Sequence, residues 1–144
     1  MLILYWRISG NYASGCDGCI VYVGMCEFTR QEIVDSLAQG TDLENADLRE
    51  VNLMDTDLSG ANLSRANLVF ANLKYCNLNG ANLREADLRG ANMKLANLRL
   101  VDMNKARLST TFLRESDLCG ANLRGADLRG ANLFRTNLRG SDLG

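Results

Sequence analysis

Apolar and polar positions recur along most of the chain with a period of five residues. Every fifth residue from Leu43 to Leu143 is Leu or Met, at 21 successive positions. The residue two places earlier is always small or β-branched, and the residue between the two is Asp or Asn except at Arg107 and Phe112. The repeated unit is therefore Ala-(Asp/Asn)-Leu followed by two variable residues, as in 61–65.

This period fits neither an α-helix nor a simple β-strand, so each unit must be extended for part of its length and then turn. In three extended residues the first and third side chains share a side, which places Ala and Leu inward and Asp or Asn outward. The last two residues turn a corner, and the second is often Gly, which adopts a positive φ most easily. We expect each Asp or Asn side-chain oxygen to accept a hydrogen bond from a nearby backbone amide.

The number of sides can also be predicted from the sequence. Residues 81–103 match residues 121–143 at 15 of 23 positions. The offset of 40 residues is two turns of four units, but it is not a whole number of three-unit turns. We therefore predict a four-sided solenoid.

The 21 in-phase units resemble the pentapeptide-repeat family, whose members fold as right-handed quadrilateral β-helices. The resemblance covers residues 41–144 and implies an all-β solenoid of about five coils, and the handedness follows from it alone. Coils stacked at ~4.8 Å would form a rod ~25 Å tall. Inward residues of the predicted core include Leu63, Leu68, Leu73, Leu83, Leu88, Met93, Leu123, Leu128 and Leu133.

Residues 28–40 carry the signals of a short helix. Thr29 is the expected N-cap, Glu32 closes a Thr-x-x-Glu capping box, Phe28 and Ile33 occupy the hydrophobic-staple positions, and Gly40 ends the helix. The expected apolar face consists of Ile33, Val34, Leu37 and Ala38. We predict that this helix caps the open first coil, because unpaired strand edges otherwise favour association.

Residues 1–27 form an N-terminal extension in which 2–8 and 20–23 are candidate strands. We hypothesise that Met25 is the physiological start of the protein. Cys16, Cys19 and Cys26 form the one metal-like or redox-like cluster, but a fourth zinc ligand and a thioredoxin-type context are missing. We interpret these cysteines as incidental thiols, and we predict no metal and no cofactor.

The overall composition narrows the function further. With 16 basic and 17 acidic residues the formal net charge is -1, which gives no overall attraction to nucleic acid or to a membrane. There is no export signal and no apolar run long enough to span a bilayer, so we predict a cytoplasmic protein. The chain has no histidine, no nucleophile–base pair and no phosphate loop, so we do not expect an enzyme.

Departures from the repeat indicate where an interface is expected. The coil at 101–120 departs most, because Arg107 and Phe112 replace outward Asp or Asn. Residues 20 apart stack on neighbouring coils, so exposed apolar residues of different coils form a stripe. The predicted interface contains Tyr75, Leu95, Leu100, Arg107, Phe112 and Phe134. Two alternatives are that the N-terminal residues cover this stripe, or that scattered surface apolar residues have no function.

Charged residues on the outward slots suggest a different surface. Three arginines share one column with three aspartates beside them, namely Arg49, Arg89 and Arg129 with Asp47, Asp87 and Asp127. Residues 41–144 contain 13 acidic and 14 basic side chains. We interpret this alternation as a solvated surface whose charges neutralise each other.

Two functions are consistent with these patterns. The first is a structural or protein-interaction module that presents a rigid solenoid surface to a protein partner. The second follows from the resemblance, since some family members mimic duplex DNA and bind DNA gyrase, which confers quinolone resistance or toxin immunity. That mechanism needs an acidic face, and the near-neutral solenoid weakens it. We also predict an end-to-end homodimer through the C-terminal coil, and no direct binding of nucleic acid.

Overall fold

The computed structural model describes residues 29–40 and 42–144. The predictions for residues 1–27, including the candidate strands, the start at Met25 and the cysteine cluster, lie outside the described residues, and so does Phe28. No helix among the described residues is long and apolar enough to span a membrane.

Helix α1 spans Arg30–Ala38, and its N-terminus has the predicted cap. The Thr29 side chain accepts a hydrogen bond from the Glu32 backbone amide, while the Glu32 carboxylate accepts one from the Thr29 amide at 2.8 Å. Ile33 is buried in the same apolar cluster as the solenoid leucines. The predicted apolar face is wrong at one position, because Ala38 is exposed and Ser36 is buried instead. The Ser36 hydroxyl is satisfied there because it donates to the Glu32 carbonyl oxygen at 2.6 Å.

After α1 the chain winds into a solenoid whose coils contain 20 residues each. Sixteen parallel bridges, from Asp47 with Asn67 to Asn122 with Asp142, join residues that are 20 positions apart. Each bridge involves only the second residue of a unit, so the strands are single bridging residues separated by turns. This register confirms the four-sided prediction, because four units of five residues complete one coil.

Backbone hydrogen bonding explains why the second position is Asp or Asn. In unit 66–70 the first amide bonds within the turn, and the second bonds to the coil before at 2.9 Å. The third and fifth amides bond to the coil after, at 2.7 and 3.0 Å. Only the fourth amide has no backbone acceptor, and it donates to the Asn67 side-chain oxygen at 3.3 Å. An amide or carboxylate at the second position therefore completes the hydrogen bonding of the unit.

The fifth residue of every unit from 41–45 to 136–140 is left-handed, with φ between 54° and 71°. Gly occupies seven of these positions, as the sequence predicts, and the other thirteen are L-residues that include Leu95, Leu100 and Thr110. A left-handed L-residue costs roughly 1–2 kcal/mol. In the units from 41–45 to 116–120 the fifth amide donates to the next coil, and this hydrogen bond helps to hold the conformation.

The interior is filled by the first and third residues of the units. The predicted core residues from Leu63 to Met93 have no exposed surface, and Leu123 is 2% exposed. The prediction was wrong for Leu128 and Leu133, which are only partly buried against the core. Both lie in the last of the described coils.

Candidate interaction surface

The 20-residue register assigns every unit to one of four faces. Face 1 contains the units that begin at 41, 61, 81, 101, 121 and 141, and face 2 those that begin at 46, 66, 86, 106 and 126. Face 3 contains the units that begin at 51, 71, 91, 111 and 131, and face 4 those that begin at 56, 76, 96, 116 and 136. Equivalent positions on one face form a column that runs along the solenoid axis.

Face 3 carries most of the exposed large apolar side chains. Tyr75, Leu95, Phe112 and Phe134 are between 43% and 53% exposed, and Met54 lies on the same face in the first coil. Apolar side chains gathered on one side of a soluble protein are typical of an interaction site. The structure therefore brings together four of the six residues that the sequence predicts for the interface.

The other two predicted interface residues lie elsewhere. Leu100 is 66% exposed, but it is at the corner between faces 4 and 1, so the whole width of face 4 separates it from face 3. Arg107 is on face 2, where its guanidinium donates to Asp87 at 3.1 Å. Neither residue contacts the apolar group, because the solenoid turns a corner between each face and the next.

Phe70 was missed by the sequence analysis. It is the fifth residue of a face 2 unit, at the corner where face 3 begins, and it is 65% exposed. Its ring lies over the next coil at Gly90, where an added Cβ would be 2.5 Å from Phe70 Cε1. The signal was present in the sequence, since Phe70 stands 20 residues before a glycine in the same column.

The cations of face 3 lie over its aromatic rings. Lys74 Nζ is 4.6 Å from the centroid of the Tyr75 ring, and Lys94 Nζ is 5.2 Å from that of Phe112. The Phe134 ring lies near two guanidinium groups, those of Arg114 at 5.0 Å and Arg135 at 5.2 Å. Such contacts hold a cation and a ring together at about 0.5–1 kcal/mol when exposed.

Cations on the other faces mostly pair with carboxylates, as the sequence analysis expected. These ion pairs span 2.7–3.4 Å and include Arg49 with Asp47, Arg84 with Asp102, Arg89 with Asp87, Arg99 with Asp117, Arg124 with Asp142, and Arg129 with Asp127. Among the described residues, Lys74, Lys94 and Arg135 of face 3 make no ion pair, and Arg114 pairs only with Glu115.

The pKa values of the aspartates reflect this pairing. The hydrogen bond from the Arg129 side chain lowers the pKa of Asp127 from 3.8 to about 2. For Asp87, partial burial opposes ionisation, but hydrogen bonds from Arg89 and the nearby charge of Arg107 outweigh it and lower the pKa. These carboxylates are therefore ionised at neutral pH and neutralise their arginines.

The four faces also differ in net charge. Acidic and basic side chains number five and four on face 1, four and four on face 2, two and four on face 3, and two and two on face 4. Face 3 is thus the one face of residues 42–144 with a clear charge excess, a net of +2. None of the four faces is strongly acidic.

Phe112 occupies its position at a local cost. In the same column, the Asn72 amide donates to the Asn52 side-chain oxygen at 3.0 Å and Asn92 continues the ladder. A phenyl ring has no oxygen with which to continue it, and the Arg114 amide two residues later has no hydrogen-bond acceptor among the described residues. Departures from a local rule are expected at functional or strained sites, which makes the exposed Phe112 a candidate interaction residue.

The two solenoid cysteines show no sign of activation. Cys76 is buried, its thiol donates to the Leu53 carbonyl oxygen at 2.8 Å, and burial raises its pKa. Cys119 is half-buried. Within residues 29–40 and 42–144, no group of three or more His, Cys, Asp or Glu side chains could hold a metal ion.

A family model for pentapeptide repeats matches eight copies across residues 35–68, 66–104 and 102–140. The chain belongs to the pentapeptide-repeat family. Members of this family form right-handed β-helices, in agreement with the resemblance that the repeat suggested. A search of curated protein sequences found no significant match.

Solved structures of pentapeptide-repeat proteins resemble this one. One from the thylakoid lumen of Arabidopsis thaliana has a TM-score of 0.64 and 29% identity, over 65% of each chain. Rfr23 from the cyanobacterium Cyanothece 51142 is 34% identical over 71% of this chain, with a TM-score of 0.47. QnrB1, a plasmid-mediated fluoroquinolone resistance protein, is 23% identical over 72% of this chain, with a TM-score of 0.33.

This pentapeptide-repeat chain spans less than two thirds of the length of each of these proteins, namely 65% of the first and 60% of the other two.

Proposed function

We propose that this protein is a non-catalytic interaction module whose face 3 binds a protein partner. The observation that carries the proposal is the grouping of Tyr75, Leu95, Phe112 and Phe134 on one face of the solenoid. Phe112 adds weight, because it is kept where Asn would complete a hydrogen-bond ladder. Aromatic and arginine side chains are the residue types enriched at the energetic centres of protein interfaces.

The solenoid suits this role because its surface is held rigidly. Adjacent coils are joined by hydrogen bonds from the third and fifth amides of one coil and from the second amides of the next, so side chains on one face keep a fixed spacing. A preorganised surface loses little conformational entropy on binding.

We infer that the solenoid contains about five coils and that α1 caps the first, since Ile33 packs into its core and the Arg30 guanidinium donates to the Asp55 carbonyl oxygen at 2.9 Å.

Face 3 can be tested with variants that follow the chain's own repeat. Tyr75→Gly and Phe112→Asn replace apolar side chains by the commonest residue of the repeat at the fifth and second positions, respectively. Both are therefore expected to fold. Leu100→Gly is the matched control, because it removes an even more exposed apolar side chain from another corner. Affinity capture from a cell extract should recover specific partners with the unmodified chain and with Leu100→Gly, but not with the double variant Tyr75→Gly/Phe112→Asn. Partners that all three proteins retain would contradict the proposal.

The DNA-mimic alternative is less well supported. A protein that replaces DNA in a basic groove needs an extended acidic face, and the face charges of this solenoid range from -1 to +2. We expect no effect of the protein on DNA supercoiling by gyrase over a wide concentration range. Inhibition of gyrase, or protection of gyrase from a quinolone, would establish the alternative instead.

An end-to-end homodimer is a separate proposal. Leu128, Leu133 and Leu138 are partly buried in the last coil, and Leu143 is 57% exposed. Stacking this coil on that of a second copy would cover these side chains and pair the open backbone groups. Light scattering of the 144-residue chain should give the mass of a dimer, and Leu133→Arg should give a monomer. A monomer for the unmodified chain at high concentration would reject the homodimer.

A further inference from the structure

The fourth position on face 3 carries an unusual column of charge. Lys74, Lys94 and Arg114 occupy this position on three consecutive coils, with Met54 before them and Phe134 after them. On faces 1, 2 and 4 the arginines at the fourth position are always separated by an uncharged residue on the coil between. Because coils are ~4.8 Å apart, the three cations of face 3 are direct neighbours.

The surroundings of this column leave the cations available to an anion. Among the described residues, Lys74 and Lys94 make no ion pair, and Arg114 meets only Glu115 at 3.0 Å. Their charged groups lie over the rings of Tyr75, Phe112 and Phe134. A cation held over a ring keeps its hydrogen-bond donors for a ligand, and the flanking apolar surface excludes water from the contact.

We propose that this column, together with its apolar flanks, binds an extended acidic segment of a protein partner that also carries large apolar side chains. This inference rests on the proposed function and specifies the chemistry of the partner. The column spans ~10 Å from Lys74 to Arg114, at ~4.8 Å per coil. Alternate residues of an extended peptide are ~6.6 Å apart, so two carboxylates at positions i and i+2 bridge the three cations.

The size of face 3 favours a linear segment over a folded domain or a second copy of this chain. Five coils at ~4.8 Å and three extended residues at ~3.3 Å give a face of roughly 24 Å by 10–15 Å. This area is less than half of the ~800 Å² per partner that stable complexes between folded proteins usually bury. A short peptide lying along the column needs no more than this area.

Single-stranded nucleic acid also combines anions with stacking bases, but it fits less well. Nucleic-acid surfaces carry a broad excess of positive charge, whereas this chain has a net charge of -1 and a pI of about 5.4. Asp55 and Glu115 lie on face 3 itself, at opposite ends of the cation column.

The experiment is a selection of a phage-displayed library of random 12-residue peptides on the immobilised full chain. Enriched peptides are then measured by fluorescence polarisation against the unmodified chain, Lys74→Gln/Lys94→Gln, Phe112→Asn, and Arg84→Gln/Arg124→Gln. The last protein is the matched control, since it loses two cations from the fourth position of face 1. A labelled dT12 oligonucleotide is measured in parallel.

We expect enriched peptides with Asp or Glu at i and i+2 and at least one large apolar residue. Their affinity should fall about tenfold for Lys74→Gln/Lys94→Gln and for Phe112→Asn, and it should be unchanged for the face 1 control. Failure to enrich any peptide, or enrichment of neutral or basic peptides, would overturn the inference. So would acidic peptides that bind the lysine variant as tightly as the unmodified chain.

The variants separate this inference from the proposed function. If peptide binding requires Phe112 but not Lys74 and Lys94, face 3 remains the proposed interaction surface and the acidic partner is rejected. If the peptides bind all variants equally, both the proposed function of face 3 and the acidic partner are rejected. Binding of dT12 that is tighter than that of the peptides and is lost in the lysine variant would assign the face to nucleic acid instead.

Discussion

The Phe70 ring occupies the space beside Gly90 in which a side chain would otherwise stand, since a Cβ on Gly90 would lie 2.5 Å from Phe70 Cε1. Gly90 also has a φ of +68°, which L-residues adopt at a cost. Two independent constraints therefore act on Gly90, one from the backbone of its own coil and one from the side chain of the coil before.

Gly90→Ala should destabilise the protein by about 1–2 kcal/mol for the backbone strain, with a further cost for displacing the Phe70 ring. Gly80→Ala is the control, because Gly80 has a φ of +66° but open space at its Cβ. Chemical denaturation should show a larger loss of stability for Gly90→Ala. The excess should vanish in a Phe70→Ala background, and equal losses in both backgrounds would show that the ring does not restrict Gly90.

Phe112→Asn should stabilise the solenoid. Asn can accept a hydrogen bond from the Arg114 amide and can continue the ladder between Asn92 and Asn132. Each recovered hydrogen bond contributes about 0.5–1.5 kcal/mol, which is opposed by the loss of the ring contact with Lys94. Denaturation midpoints should rise while binding through face 3 is weakened. A fall in stability would mean that Phe112 is retained for packing, and it would weaken the functional interpretation of this position.

Thr56→Val should also be stabilising. Among the described residues, Thr56 Oγ1 is a buried oxygen without a hydrogen-bond partner. In later coils Cys76, Thr111 and Thr136 donate to a carbonyl oxygen 23 residues earlier, on the preceding coil, and Thr56 in the first coil has no preceding coil. Removing an unsatisfied buried hydroxyl should gain about 1 kcal/mol.

Thr111→Val is the natural comparison for this substitution. It removes the hydrogen bond to the Leu88 carbonyl oxygen at 3.0 Å, so stability should fall by about 0.5–1.5 kcal/mol. Thermal or chemical denaturation measures both changes. A shift of the same sign in the two variants would contradict the proposed difference between the first coil and the later ones.

Asp127 should titrate at about pH 2, well below its ordinary value of 3.8. Because the folded-state pKa is depressed, its pairing with Arg129 stabilises the protein fully above pH 3.8, and this contribution is lost as the pH falls towards 2. Carboxyl NMR shifts followed through a pH titration measure the value. In Arg129→Gln the pKa should return towards 3.8, since the Arg129 hydrogen bond is the largest cause of the shift.

Most of the fold was predictable because the constraint is local and repeated. Each unit has the same features. A small residue and a leucine point inward, an Asp or Asn side chain accepts a hydrogen bond from the fourth amide, and the fifth residue is left-handed. Twenty-one repetitions fix these choices whatever any single unit contains, and the 40-residue self-match indicates how many units complete a coil. The capping box at Thr29 was equally clear, since its two hydrogen bonds join residues only three positions apart.

The interaction surface was only partly predictable. The 20-residue spacing placed Tyr75 in one column with Leu95, and it placed Phe112 and Phe134 on the same side. It did not exclude Leu100, which a corner and a whole face separate from them. The sequence determined what each unit does, because backbone hydrogen bonding and burial act within a unit and its neighbours. Only the tertiary structure decided which exposed side chains meet, that Lys94 lies over Phe112, and that Leu128 remains partly exposed. Those relationships depend on side-chain directions and on stacking, which the five-residue pattern does not specify.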